Sequence, residues 1–160
     1  MKAGPNAFQK MLHQFLMVRP VTAFFAPWAH NIDKAVLRLT MGRYSLSEFL
    51  GWNIVQLTTI GARTGRPRTM PLLALFDAEK IAFIASSLGR RHNPGWYYNL
   101  KKNPGCDVQR RGHSSKYIAH EAEGNEYEKY WQLALSYYAG YEKYKERAGR
   151  KIPVMVLEPK

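Results

Sequence analysis

The sequence predicts a mainly β, α+β chain: an antiparallel barrel with helices packed outside it. Six or so short apolar or β-branched runs follow one another between residues 54 and 157. Compact turn segments, rather than long helices, join most of them. The helical patterns are few, which disfavours a doubly wound sheet with a helix after every strand. At 160 residues, with 46% hydrophobic and 22% charged residues, the chain has the size and balance of a single globular domain over residues 1–160. Within it, residues 1–50 read as an N-terminal helical segment and residues 51–160 as the barrel core.

Each element has a local reason. Phe8, Met11, Leu12, Phe15 and Leu16 recur at helical offsets and give residues 6–18 one apolar stripe. Asn31 reads as the cap of a second short helix carrying Ile32, Ala35, Val36 and Leu39, which Gly42 closes. From Ile54 to Ile60 the run is β-branched, residues 61–67 supply turn chemistry, and Thr69 to Phe76 reads as a second strand. Together they form a hairpin with a long basic tip. Asp77-Ala-Glu79 turns into a third strand, Lys80 to Ser86, followed by a polar, basic loop from Ser87 to Asn93. Pro94 suits the first turn of a helix over Gly95 to Lys102, which Asn103-Pro-Gly105 ends. Asp107 to Arg111 and Lys116 to Glu121 read as strands joined at Gly112-His113. Asn125 is expected to open a longer helix through Tyr127, Tyr130, Trp131, Ala134, Tyr138 and Tyr141, and residues 152–157 form the closing strand.

Composition excludes several classes. A single cysteine, Cys106, rules out an intramolecular disulfide framework, and five scattered histidines offer no zinc-type spacing, so no metal site is expected. The apolar stretch near the N-terminus is broken by Pro27 and is too short to span a bilayer, and no signal peptide precedes it. A cytoplasmic protein is expected, with the stripe at residues 6–18 either covering the barrel or touching a membrane surface. The formal charge of +12 attracts anions, which leaves nucleic acid, anionic lipid and an anionic coenzyme as partner classes. No recognition helix stands out, so no specific nucleic-acid partner is expected.

The chemistry concentrates in two loops. The hairpin tip places Arg63, Arg66 and Arg68 beside Thr64 and two glycines, an arrangement of guanidinium forks and backbone amides that can close on phosphate oxygens. A solvated basic turn is the competing reading. The segment Ser86-Ser-Leu-Gly-Arg-Arg-His-Asn93 leads into a helix N-terminus, where unpaired amides favour an anion; alternatively Asn93 only caps that helix. There is no nucleophile with a base at a recognisable spacing, no phosphate-binding loop of the GxxxxGK type and no dinucleotide fingerprint. What remains is a domain that binds a planar anion and lets that molecule perform the chemistry.

The ordered blocks Leu57-Thr-Thr-Ile-Gly-Ala-Arg-Thr-Gly-Arg-Pro-Arg68, Pro71-Leu72, Asn93-Pro-Gly-Trp-Tyr-Tyr-Asn-Leu-Lys-Lys-Asn-Pro104 and Arg150-Lys-Ile-Pro-Val-Met-Val-Leu-Glu-Pro159 resemble the deazaflavin (coenzyme F420)-dependent nitroreductase family. The resemblance implies a split β-barrel, like that of flavin-mononucleotide-binding barrels. It also implies hydride transfer from reduced F420 to a quinone, a nitroaromatic or an activated enone. It places Arg63, Thr64 and Arg68 at the coenzyme's phosphate and oligoglutamate tail, and Pro71, Ser86, Ser87, Trp96 and Asn99 along the coenzyme groove. Arg90 and Arg91 are expected to supply further positive charge there. Tyr138, Tyr141 and Tyr144 match the family's substrate-side tyrosines, which act as a lid. Periodicity alone would put the same tyrosines in packing; Gly140, which costs about 1 kcal/mol against alanine inside a helix, favours a break there. A flavin mononucleotide or haem cofactor in the same barrel, and a basic module for nucleic acid or lipid, are the competing readings.

Overall fold

The computed structural model describes residues 53–160. The expected helices at residues 6–18 and after Asn31 lie outside the described residues. The described chain runs β1 (Ile54–Ile60), β2 (Pro67–Leu73), β3 (Leu75–Asp77), β4 (Lys80–Ile84), a 3-10 turn (Ser87–Gly89), α1 (Gly95–Lys102), β5 (Gly105–Arg110), β6 (His113–Glu121), α2 (Gly124–Tyr137), α3 (Gly140–Ala148) and β7 (Val154–Pro159).

All seven strands join one antiparallel sheet in the order β2-β1-β5-β6-β7-β4-β3. Its two edge strands, β2 and β3, are consecutive in sequence and separated only by Ala74. Edges joined by one residue meet at that corner, so the sheet curls into a barrel closed by the chain at Ala74, while the rest of β2 pairs only with β1 among the described strands and keeps its other edge free. Ala74 is fully buried and its N–H donates to Asn53 O at 2.8 Å, which ties the seam to the start of β1. Arg110 lies 4.3 Å over the Phe76 ring and donates to Asn53 Oδ1 at 3.3 Å, tying the end of β5 to β3 and to the residue before β1.

Two cores flank the sheet. Val55 and Leu57 of β1, Ile81 and Phe83 of β4, Val108 of β5 and Met155 and Leu157 of β7 fill the barrel with Leu100 of α1. Ala82, Ile84, Val154 and Val156 point the other way and pack under α2 and α3 against Tyr127, Tyr130, Trp131 and Ala134. Strands β4 and β7 are therefore buried on both faces, which explains why Ile81-Ala-Phe-Ile-Ala85 and Val154-Met-Val-Leu157 read as unbroken apolar runs. Burying side chains of this size contributes about 1.5–3 kcal/mol each.

The structure shifts several expected boundaries. The run from Thr69 to Phe76 is two strands, because the chain changes sheet edge at Ala74. The β5–β6 hairpin turns on Arg111 (φ 50) and Gly112 (φ 83), one residue earlier than expected; two consecutive positive φ angles match the strand twist. Helix α2 opens after Glu123, not at Asn125, and stops at Tyr137. Tyr141 belongs to the separate helix α3.

Candidate functional site

The hairpin tip is a folded loop and not a loose one. Gly61 N donates to Arg66 O and Gly65 N to Gly61 O, each at 2.9 Å. A Cβ on Gly61 would sit 2.7 Å from Thr64 Oγ1 and 3.1 Å from Arg66 O, so a larger residue would have to displace the Thr64 side chain and press on the turn's backbone. Helix α1 grips it from below. Asn99 Nδ2 donates to Thr59 Oγ1 at 3.0 Å while its Oδ1 accepts from Ala62 N at 2.9 Å. Lys102 Nζ donates to Ala62 O at 2.7 Å, and Asn103 Nδ2 to Ile60 O at 3.3 Å. Arg63, Thr64, Arg66 and Arg68 are left exposed, and none of the three arginines has an ion pair among the described residues. Unpaired guanidinium groups on a rigid frame are suited to an anionic ligand.

The second loop holds an unusual backbone. Ser86 is right-handed (φ −68, ψ −30), then Ser87, Leu88 and Gly89 follow at φ 49, 57 and 80. A right-to-left-handed succession is the geometry of an anion nest; Ser86 N donates to Ile84 O at 2.8 Å, Gly89 N to Ser86 O at 2.9 Å and Arg90 N to Ser87 O at 3.2 Å, which leaves the Ser87 and Leu88 N–H groups for a ligand. Gly89 lies close under α3: a Cβ there would come 3.2 Å from Tyr144 O and from the Arg147 side chain. Arg150, just beyond α3, clasps the loop. Its Nη2 donates to Ala85 O and His92 O, each at 3.2 Å, its Nε to Arg90 O at 3.3 Å and its Nη1 to Lys151 O at 3.1 Å. Ser86 is buried, Ser87 half-buried, and Arg90 and Arg91 are exposed. Asn93 does not cap α1: the cap position is Pro94, and Asn93 Oδ1 is buried without a partner among the described residues.

The tyrosines cluster at the break between α2 and α3. The Tyr138 ring lies against Gly140, where any Cβ would overlap it. Ring centroids of Tyr138, Tyr141 and Tyr144 stand 5.6, 5.9 and 6.0 Å apart pairwise. Tyr138 and Tyr144 are half-buried, whereas Tyr141 is 7% exposed and packs within the core beneath them, beside Trp131. Burial, reinforced by a hydrogen bond to Tyr138, raises the Tyr144 phenol above its ordinary range. Burial raises Tyr141 likewise. Both phenols stay protonated at neutral pH and can donate.

Strand register relates these parts. Pro71 pairs with Gln56 and Leu73 with Ile54, so Pro71 and Leu73 share the outer face of β2. Leu73 packs against the same cluster as Tyr138 and Tyr144. Arg68 pairs with Thr59 and shares the opposite face. Because β2 is an edge strand, a ligand lying along its free edge can reach side chains from both faces over about 20 Å. Two expected groove residues behave differently. Trp96 is 4% exposed and meets Phe83 edge to face at 6.0 Å, so it is barrel core and does not line a groove. Asn99 has both ends of its amide engaged in holding the tip. Sequence reasoning gave Arg150 no role, although it opens the last of the blocks that carry the family resemblance and stands just past the Gly149 helix end.

Among the described residues no group of histidines, cysteines and acids could hold a metal ion, and no helix is long and apolar enough to cross a membrane.

Residues 30–159 match the family model described as F420H(2)-dependent quinone reductase. An F420H(2)-dependent quinone reductase of Mycobacterium tuberculosis is 36% identical over 106 residues, which cover 63% of this chain and 70% of that protein. The solved structure of an F420-H2 dependent reductase, FDR-A, is 38% identical with a TM-score of 0.62, covering 66% of this chain and 94% of that one. A domain-swapped dimer is 34% identical with a TM-score of 0.65, covering 83% of this chain and 98% of that one. The barrel described above is thus the split β-barrel of these reductases, as the resemblance implied. The chain belongs to the F420H(2)-dependent quinone reductase family, an oxidoreductase family that transfers a hydride from reduced coenzyme F420 to a quinone.

Proposed function

We propose that the coenzyme lies along the free edge of β2, its anionic tail on Arg63, Thr64 and Arg68 and its ring end between Pro71 and the Ser86–Gly89 loop. The observation that carries this reading is the set of exposed arginines on a rigid tip at one end of β2, with none of them in an ion pair among the described residues. The residues fit the group: guanidinium forks suit phosphate and carboxylate, and the N–H groups of Ser87 and Leu88 suit a carbonyl or ring oxygen. Arg90 and Arg91 add charge beside that end.

When bound, the reduced deazaflavin supplies the hydride. The chain's own groups orient the acceptor, keep water from the ring face and stabilise charge. Tyr144 Oη, held protonated by burial, donates a hydrogen bond to the acceptor oxygen as negative charge grows there, with Tyr138 as its hydrogen-bonded neighbour. Tyr141 supports both rings from beneath. Nitroaromatics and activated enones present a comparable oxygen and belong to the same proposed acceptor range.

Titrating the full chain with oxidised and reduced F420, followed by its fluorescence, tests the binding half of the proposal. No binding at micromolar concentration would sink it. Turnover with a menaquinone analogue, a nitroimidazole and an enone ranks the acceptors. The reading sets the enzyme in the cytoplasm, with residues 6–18 meeting an anionic membrane in which quinones dissolve, as their apolar stripe and the net charge of +12 support. Co-sedimentation with anionic vesicles at low and high salt tests that contact.

A further inference from the structure

Arg150 reaches four backbone carbonyls and, among the described residues, no carboxylate. Three of them, Ala85 O, Arg90 O and His92 O, belong to the segment that carries Ser86 and Ser87. The fourth, Lys151 O, is local. Between Ala85 and Arg90 the chain adopts three consecutive positive φ angles, two of them at non-glycine residues. Side-chain-bearing residues avoid that region because Cβ crowds the carbonyl oxygen. Such a conformation persists only where the surroundings over-determine it.

Helix α3 supplies part of that constraint through the close approach of Gly89 to Tyr144 O and Arg147. It bears on one side of the loop. Arg150 holds the other side, joining Ala85, which precedes the right-handed Ser86, to Arg90 and His92 after the left-handed run. A planar fork with five donors can do this. A lysine has a single ammonium at the end of its chain and cannot span three carbonyls.

We propose that Arg150 is a positioning residue for the reductase reaction: it locks the Ser86–Arg91 loop in the left-handed conformation that presents the Ser87 and Leu88 N–H groups to the coenzyme. The inference rests on the coenzyme placement given above. Arg150 touches neither coenzyme nor acceptor; it acts through the loop backbone. The same clasp ties the loop to the end of α3, which carries Tyr144, so loss of the guanidinium also loosens the coenzyme end relative to the acceptor end.

The test compares full-length wild type with Arg150→Lys and Arg150→Ala in three readouts. Amide hydrogen exchange of residues 86–92, measured without coenzyme, is expected to rise in both variants while exchange in β4 and β7 stays near wild type. The Kd for F420 is expected to rise about tenfold or more, in line with the cost of small misplacements, with a smaller change in acceptor KM. Added guanidinium ion is expected to restore part of the affinity of Arg150→Ala, which a generally destabilised protein would not show. Unchanged loop exchange in both variants overturns the clasp whatever the coenzyme does. Faster loop exchange with a Kd within twofold of wild type overturns the positioning role. If wild type itself binds no F420 while the loop exchange responds as expected, the coenzyme placement fails and the positioning role fails with it, whereas the clasp stands.

Discussion

Asn99 Oδ1 accepts the backbone N–H of Ala62 at 2.9 Å, so a side chain on α1 fixes the entry to the arginine-bearing tip. The same amide donates to Thr59 Oγ1, whose residue is 1% exposed. Asn99→Leu would strand a donor at Ala62 and remove the partner of a buried hydroxyl. We expect a loss of about 1–3 kcal/mol in chemical denaturation, together with weaker F420 binding because the tip is released. Asn99→Asp keeps the acceptor for Ala62 and should bind F420 better than Asn99→Leu does.

On the proposed placement, the arginines of the tip act through the ligand and not through the fold. Arg63→Ala combined with Arg68→Ala is expected to leave the melting temperature within experimental error and to raise the F420 Kd by about a hundredfold or more. Raising salt should weaken wild-type binding more than that of the double variant. An unchanged Kd would remove the tip from the site.

Tyr144 and Tyr141 differ in access, and their phenylalanine variants should differ in kind. Tyr144→Phe removes the proposed donor and is expected to lower kcat by about 10- to 1,000-fold with little change in coenzyme affinity. Tyr141→Phe alters a buried ring and should leave kcat within a few-fold of wild type. Equal effects from the two would argue against a specific hydrogen bond from Tyr144.

Gly140 is the first residue of α3, just after the break between the helices, and the Tyr138 ring occupies the space a Cβ there would need. In an open helix glycine to alanine stabilises by about 1 kcal/mol. Here Gly140→Ala is expected to destabilise by about 1–3 kcal/mol, because the ring must move, and to raise the acceptor KM. A rise in melting temperature would show that Tyr138 relocates freely.

Asp77 accepts hydrogen bonds from Lys129 Nζ at 2.5 Å and Tyr130 Oη at 3.0 Å. The Lys129 contact, and after it the Tyr130 bond, hold its carboxyl below the ordinary value of 3.8 against the opposing effect of burial. A lowered folded-state pKa means stability that is present above the unfolded value and lost as pH falls through the folded one. Acid unfolding of wild type below about pH 4 should therefore show a contribution that Asp77→Asn lacks. At neutral pH the variant should cost no more than about 1 kcal/mol, as for other partly exposed pairs.

Much of the chain was legible from local pattern. The β-branched run at Ile54–Ile60 and the helix over Gly95–Lys102 follow from short-range rules and stand where the sequence puts them, whereas Pro67 and Arg68 already belong to β2 and Pro94 is the cap of its helix rather than part of its first turn. The two basic loops were legible as loops rich in arginine and glycine because charge and glycine density are local quantities. Trp96 was harder to place: an aromatic at a helix start can face a ligand or a core, and only the position of Phe83 across the barrel puts it inside.

The sequence by itself determined the class of the fold, the order of its strands along the chain and the chemistry of the two loops, since periodicity and composition act over a few residues. Tertiary structure alone decided that Ala74 is a corner between the two edges of the sheet, because that depends on the Asn53 carbonyl meeting its N–H. It also decided that Tyr141 lies beneath its two neighbours, and that Arg150 serves a loop some sixty residues earlier in the chain. Those outcomes depend on which faces meet after the sheet has curled, and no local pattern encodes a contact whose partner is fixed only by closing the barrel.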